Sequence, residues 1–171
     1  VVFTYADYCP SANRVPVTVT INPLPVVVAS ASPSLSVCEN SSVTLSGSGA
    51  VTYSWNGPVS VTDNVPFMAT LPAVGSYTVT GTDGAVCTNT AILSLAVIAA
   101  PILSTTSSST LTCAGDAVTM TSSGATFYNW SSGGTSSVEN VAPAISTTYY
   151  VSGTDSVSGC IGYDSVMVTV N

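Results

Sequence analysis

Apolar and polar residues alternate in short runs along this chain: "SVTLS" at Ser42–Ser46, "VTYSW" at Val51–Trp55, "YTVTG" at Tyr77–Gly81 and "VMVTV" at Val166–Val170. A period of two places every second side chain on the same face, the pattern of a half-buried strand. Gly, Pro, Asn and Ser separate the runs, as turns require. Val and Thr, the recurring residues, favour the pleated surface of a sheet. No long stretch carries apolar residues at the helical spacing of i, i+3, i+4 and i+7. The pattern therefore predicts an all-β fold. The longest apolar stretch, Ala91 to Leu103, is interrupted by Pro101 and too short to span a bilayer as a helix.

The runs recur in order. Cys38 and Cys113 are 75 residues apart, as are Trp55 and Trp130, and "CENSSVTLSGSGAVTYSW" aligns with "CAGDAVTMTSSGATFYNW" without a gap. Further on, "DNVP" at Asp63 lies over "ENVAP" at Glu139, and "YTVTGTDGAVC" over "YYVSGTDSVSGC", so that Cys87 answers Cys160. Such self-similarity is the mark of tandem units. Residues 1–22 match only the last quarter of a unit and read as the C-terminal hairpin of a preceding one. Residues 23–99 and 100–171 read as two full units, the whole being an excerpt of a longer array.

About seven short strands are expected per unit, including Val26–Ala31, Val43–Ser48, Val51–Trp55, Tyr77–Thr82 and Ala91–Ile98 in the first full one. Alternation turns Val43, Leu45, Tyr53, Trp55, Tyr77 and Val79 inward. A Trp on the third strand of such a set predicts an immunoglobulin-like β-sandwich. Trp55 and Trp130 are expected as core pins with Tyr53 and Tyr128 beside them, whereas Phe127 is out of register with the inward face and is expected in solvent.

Composition narrows the chemistry. The 171 residues include eight carboxylates, one Arg (Arg14), no Lys and no His, for a net charge of −7. Without clustered cations there is no surface for nucleic acid or for anionic membrane. Without His or Lys the usual activated nucleophiles are missing. Carboxylate pairs could in principle hydrolyse glycosides, but Asp83 and Asp155, like Asp63 and Glu139, occupy matching places in the two units and read as turn formers. No two acids lie within five residues of each other, so the oxygen-rich cage that calcium needs is not expected. The reading is a non-catalytic chain with no metal and no cofactor. Residues at 46% apolar exclude the composition of a disordered segment, despite a charged content of only 5%.

The pattern "C-x-x-x-S-V-T-L … Y-x-W … G-x-Y-T-V-T-x-T-D … C-T-N-T-A" resembles the Ig-like or PKD-like repeats of giant secreted surface proteins of gliding bacteria. These include filamentous gliding adhesins and other cargo of the type IX secretion system. The chain departs from the usual repeat in the turn at "CENSSVTL", where a Gly is common. The resemblance implies an extracellular fibre or adhesin stalk whose partners are neighbouring repeats. It also makes "DSV" at Asp155–Val157 and Asp164–Val166 similar to the O-glycosylation triplet of that bacterial group, with Ser156 and Ser165 as acceptors. Two other readings stay open. One is a carbohydrate-binding accessory module with surface glycans as ligand, using the Tyr53/Trp55 and Phe127/Tyr128/Trp130 aromatics. The other is a filament subunit completed in trans by strand addition from residues 1–22.

The secreted character and the recurring positions mark the five cysteines as disulfide candidates. Pairing within units would join Cys38 to Cys87 and Cys113 to Cys160. Yet Cys38 and Cys87 lie at opposite ends of a sandwich, separated by a strand of roughly 20 Å, whereas a disulfide needs Cα atoms within about 7 Å. End-to-end stacking favours Cys38 with Cys160, leaving Cys9, Cys87 and Cys113 for adjoining units.

Overall fold

The computed structural model describes residues 18–171. The expected hairpin at 1–22, with Cys9 and Arg14, lies almost wholly outside the described residues. Fourteen strands follow, with one 3-10 turn at Leu71–Ala73. The first seven are β1 (Val28–Ser32), β2 (Ser36–Cys38), β3 (Ser42–Ser48), β4 (Thr52–Asn56), β5 (Pro66–Met68), β6 (Gly75–Thr82) and β7 (Thr88–Ile98). The second seven are β8 (Ser104–Ser107), β9 (Leu111–Thr112), β10 (Val118–Ser123), β11 (Phe127–Trp130), β12 (Val138–Val141), β13 (Thr147–Thr154) and β14 (Ile161–Val170).

Strands pair only within their own set of seven. The first set forms the sheets β1-β3-β5 and β2-β7-β6-β4, and the second forms β8-β10-β12 and β9-β14-β13-β11. The two orders are the same once seven is added to each strand number. Each set is an immunoglobulin-like sandwich, with a three-stranded sheet facing a four-stranded one. All ladders are antiparallel except two: β2 runs parallel to the end of β7, and β9 parallel to the end of β14. Those two short strands fix where Cys38 and Cys113 lie, because each cysteine ends or follows a strand laid against the last residues of its sandwich.

Inward alternation fills the cores. Val43, Leu45, Tyr77 and Val79 are completely buried in the first sandwich, and Val118, Met120, Val151 and Val168 in the second. Each such aliphatic side chain contributes about 1.5–3 kcal/mol on leaving water. The aromatics divide the work differently in the two sandwiches. Trp130 is buried at 2% exposure while Tyr149 is only half-buried. In the first sandwich Tyr77 is buried and gives its hydroxyl to the Ala73 carbonyl at 2.9 Å, while Trp55 is half-buried and packs against the flank of the core. The expectation of two Trp core pins therefore holds for Trp130 and is corrected for Trp55, which is only half-buried against its core. Burial pushes the Tyr77 phenol above its ordinary range.

Tyr53 and Tyr128 hold identical positions. Each hydroxyl accepts from the amide and donates to the carbonyl of the alanine three residues earlier, Ala50 at 2.7 and 2.7 Å and Ala125 at 3.1 and 2.9 Å. A half-buried Tyr is thereby satisfied at its polar tip while its ring packs on the core. Phe127, 62% exposed, stands in solvent as its register requires.

Candidate functional site

The two sandwiches meet at a covalent joint. Cys38 and Cys160 form a disulfide with Cα atoms 5.5 Å apart, across 122 residues of sequence. Cys38 reaches this place because β2 runs alongside the end of β7, with Cys38 opposite Ile98. Its turn is closed by three backbone bonds: Ser41 N–H to the Cys38 carbonyl at 3.1 Å, Glu39 N–H to Ile98 at 2.8 Å, and Asn40 N–H to Ala69 at 2.7 Å. Asn40 adopts φ 62°, a left-handed conformation that Asn tolerates and that Gly115 takes at φ 83° in the second sandwich. The departure from Gly in "CENSSVTL" is thus accommodated without changing the turn.

Cys160 comes from the hairpin between β13 and β14, and is almost completely buried. Asp155 organises that hairpin. Its carboxylate accepts from the amides of Ser158 at 2.7 Å and Val157 at 3.1 Å and from the Ser158 hydroxyl at 2.8 Å. These donors, Ser158 foremost, hold the Asp155 carboxyl below the usual carboxylate range. In the first sandwich the matching hairpin is organised by Asp83, whose carboxylate accepts from the Ala85 and Cys87 amides at 2.8 Å each. Both acids are turn formers.

A groove of about 710 Å³ opens beside the disulfide. One wall is Glu39, Asn40 and Ser41, the floor is the connecting segment 100–103, and the other wall is Ile161, Gly162 and Tyr163. Gly162 permits the close approach: a β-carbon there would overlap the Pro101 carbonyl. Tyr163 is 77% exposed at the rim. Among the described residues Glu39 is the only carboxylate lining the groove. Among the described residues no group of three or more His, Cys, Asp or Glu could hold a metal ion. No helix there is long and apolar enough to cross a membrane.

The remaining candidates are placed as follows. Cys87 is half-buried and Cys113 exposed, both as free thiols. Ser156 is exposed in the β13–β14 hairpin, within hydrogen-bond distance of the Thr126 hydroxyl at 3.2 Å, and Ser165 is exposed on β14. Asp63 is more than a turn former. One of its oxygens accepts from the Trp55 indole N–H at 2.9 Å and from the Gly47 amide at 2.7 Å, tying β3, β4 and the following loop together. Glu139, aligned with it by sequence, instead accepts from Ser132, while the Trp130 indole donates to the Ser136 carbonyl at 2.8 Å. The sequence hints at this divergence twice: the acid lies eight residues after Trp55 but nine after Trp130, and "DNVP" and "ENVAP" differ in length.

The outer face of the four-stranded sheet also differs between the sandwiches. Phe127 on β11, Tyr150 on β13 and Tyr163 on β14 are 62%, 62% and 77% exposed. Strand register puts Thr52, Thr78 and Thr90 at the same places in the first sandwich. Ser152 lies opposite Tyr163 and Ser165 opposite Tyr150, so the two tyrosines are diagonal neighbours on that face, a separation of roughly 7–8 Å.

No protein-family model matches the chain, and no curated protein matches it significantly. Among solved structures, the chain is similar to murine CEACAM1b, with TM-score 0.37 and 15% identity over 85% of this chain and 100% of that one. It is similar to the same extent, at 16% identity, to the structure of a mouse coronavirus receptor-binding domain complexed with its murine receptor. An amphioxus IgVJ-C2 molecule gives TM-score 0.33 and 14% identity over 71% of this chain and 90% of that one. These are distant likenesses of immunoglobulin-like architecture and extend to nothing that those proteins bind.

Proposed function

We propose that this chain is a load-bearing segment of an extracellular fibre or adhesin stalk, made of tandem immunoglobulin-like units and without catalytic activity. The observation that carries the reading is the Cys38–Cys160 bond, which staples the trailing end of one sandwich to the leading end of the next. A hinge of five residues, Ala99 to Leu103, would otherwise connect them. The staple adds a second covalent link and turns a bead-on-string joint into a stiff one. A disulfide also suits an oxidising, extracellular compartment. The sequence resemblance to surface proteins of gliding bacteria supports the same role, as does a described region with no His, Lys or Arg to activate a nucleophile. Small-angle X-ray scattering on the oxidised chain and on a Cys38→Ser/Cys160→Ala variant tests it. The oxidised chain is expected to scatter as an extended rod and the variant as a range of bent forms. Equal profiles would remove the joint from the mechanism.

A second reading is favoured by the aromatic outer face of the second sandwich. Phe127, Tyr150 and Tyr163, interleaved with Asn129, Ser152 and Ser165 and free of charge, form a platform suited to stacking and hydrogen bonding with neutral sugar rings. A glycan array probed with the chain and with Phe127→Ala/Tyr163→Ala decides it. Binding lost in the variant supports a glycan contact on the stalk, and no binding by either protein leaves the face as surface only.

A further inference from the structure

The aromatic face of the second sandwich and the groove at the joint share a residue. Tyr163 stands with Tyr150 on the outer face of the four-stranded sheet, and it also lines the groove. Ile161, two residues earlier on the same face of β14, lines the groove as well. On the groove floor Ile102 is almost fully exposed, an apolar surface that a ligand would cover. The stacking surface therefore does not stop at the end of β14. It continues into a cleft of about 710 Å³, within the roughly 300–1,000 Å³ of clefts that hold small ligands, which favour such boundaries between domains.

The opposite wall comes from the first sandwich. The amides of Glu39, Asn40 and Ser41 are taken up by the turn, donating to Ile98, Ala69 and Cys38. What these residues offer the groove is a carboxylate, a side-chain amide and a hydroxyl. One wall is thus apolar and aromatic and the other hydrogen-bonding. A sugar ring has the same two aspects, C–H faces that stack on aromatic rings and an edge of hydroxyls. Charge selects among sugars: residues 18–171 hold no Lys, Arg or His, and Glu39 adds a negative charge to the groove, so an acidic glycan is repelled.

We infer that the joint extends the aromatic face into one binding site, in which a linear, neutral oligosaccharide stacks on Tyr150 and Tyr163 and continues into the groove, its hydroxyls bonded by Glu39, Asn40 and Ser41. The inference rests on the reading of the aromatic face as a glycan contact. The Cys38–Cys160 bond holds the two walls together, so the site is whole only while the staple is closed. Thr78 and Thr90 take the places of the two tyrosines in the first sandwich, so the site belongs to this joint and is not a general property of the repeat.

The test is isothermal titration of the full oxidised chain with neutral linear hexasaccharides of the cello, xylo and malto series and with the corresponding disaccharides. At least one hexasaccharide is expected to bind, and its disaccharide about tenfold more weakly, because it cannot reach both surfaces. Tyr163→Ala should abolish binding, whereas Thr90→Ala should leave it unchanged. Asn40→Gly removes the amide and keeps the left-handed turn that Gly115 adopts. It should weaken binding roughly three- to tenfold, the worth of one hydrogen bond, and Cys38→Ser/Cys160→Ala should weaken it at least as much. If Tyr163→Ala abolishes binding while Asn40→Gly and the staple variant bind as the parent chain does, the aromatic face stands as a glycan contact and the extension into the groove fails. If no sugar binds, or if binding survives Tyr163→Ala, both readings fall.

Discussion

Removing the staple gives the most direct energetic test of the joint. In Cys38→Ser/Cys160→Ala the side chains change little in volume, and the main loss is the cross-link. The bond closes 122 residues, a loop for which chain-entropy bookkeeping gives about 5 kcal/mol at 25 °C, against about 2–4 kcal/mol typically measured. A two-sandwich unit of this size shifts its melting temperature by roughly 2–4 °C per kcal/mol, so the variant should melt some 5–20 °C lower. The shape of the transition should change as well. Strands pair only within each sandwich, so without the staple the two sandwiches are free to melt separately. Differential scanning calorimetry should show one cooperative peak for the oxidised chain and two for the variant. If both proteins melt within about 1 °C of each other with the same peak shape, the loop constraint contributes nothing and the coupling argument is wrong.

Three further outcomes are expected. Trp130→Ala should cost about 3–5 kcal/mol in urea denaturation, as for other buried aromatics, and Trp55→Ala clearly less, because Trp55 is half-buried and leans on Asp63; equal costs would contradict the unequal burial of the two. Asp155 has its folded pKa depressed by Ser158 and Val157, so its contribution is present above the ordinary carboxylate pKa of about 4 and is lost as pH falls through the lower folded value. Amide exchange at Val157 and Ser158 should therefore accelerate relative to the rest of β13–β14 only in that acidic window, and Asp155→Asn should abolish the dependence. Gly162→Ala should disturb the joint through overlap with the Pro101 carbonyl, seen as slower Cys38–Cys160 formation on refolding with both sandwich cores intact; unchanged oxidation would show that the approach there is not tight.

Sequence alone determined the elements and their faces here. Alternation of period two is a local property, and it placed Val43, Leu45, Tyr77 and Val79 inward and Phe127 outward, all as the sandwich has them. The two-fold recurrence likewise appears in the matching strand orders, because the same local pattern selects the same pairing. Tertiary structure decided what depends on volume and on ends. Which aromatic is fully buried differs between the sandwiches, Tyr77 in the first and Trp130 in the second, although alternation turns both pairs inward alike. Asp63 and Glu139 align by letter but not in the ladders: Glu139 lies on β12 opposite Met120, whereas Asp63 lies in the loop before β5, so the two reach different partners. The groove, and the glycine that lets Pro101 approach β14, exist only where two sandwiches meet. Local pattern carries no information about that meeting; the position of Cys38 beside the end of β7, and of Cys160 in the facing hairpin, supplies it.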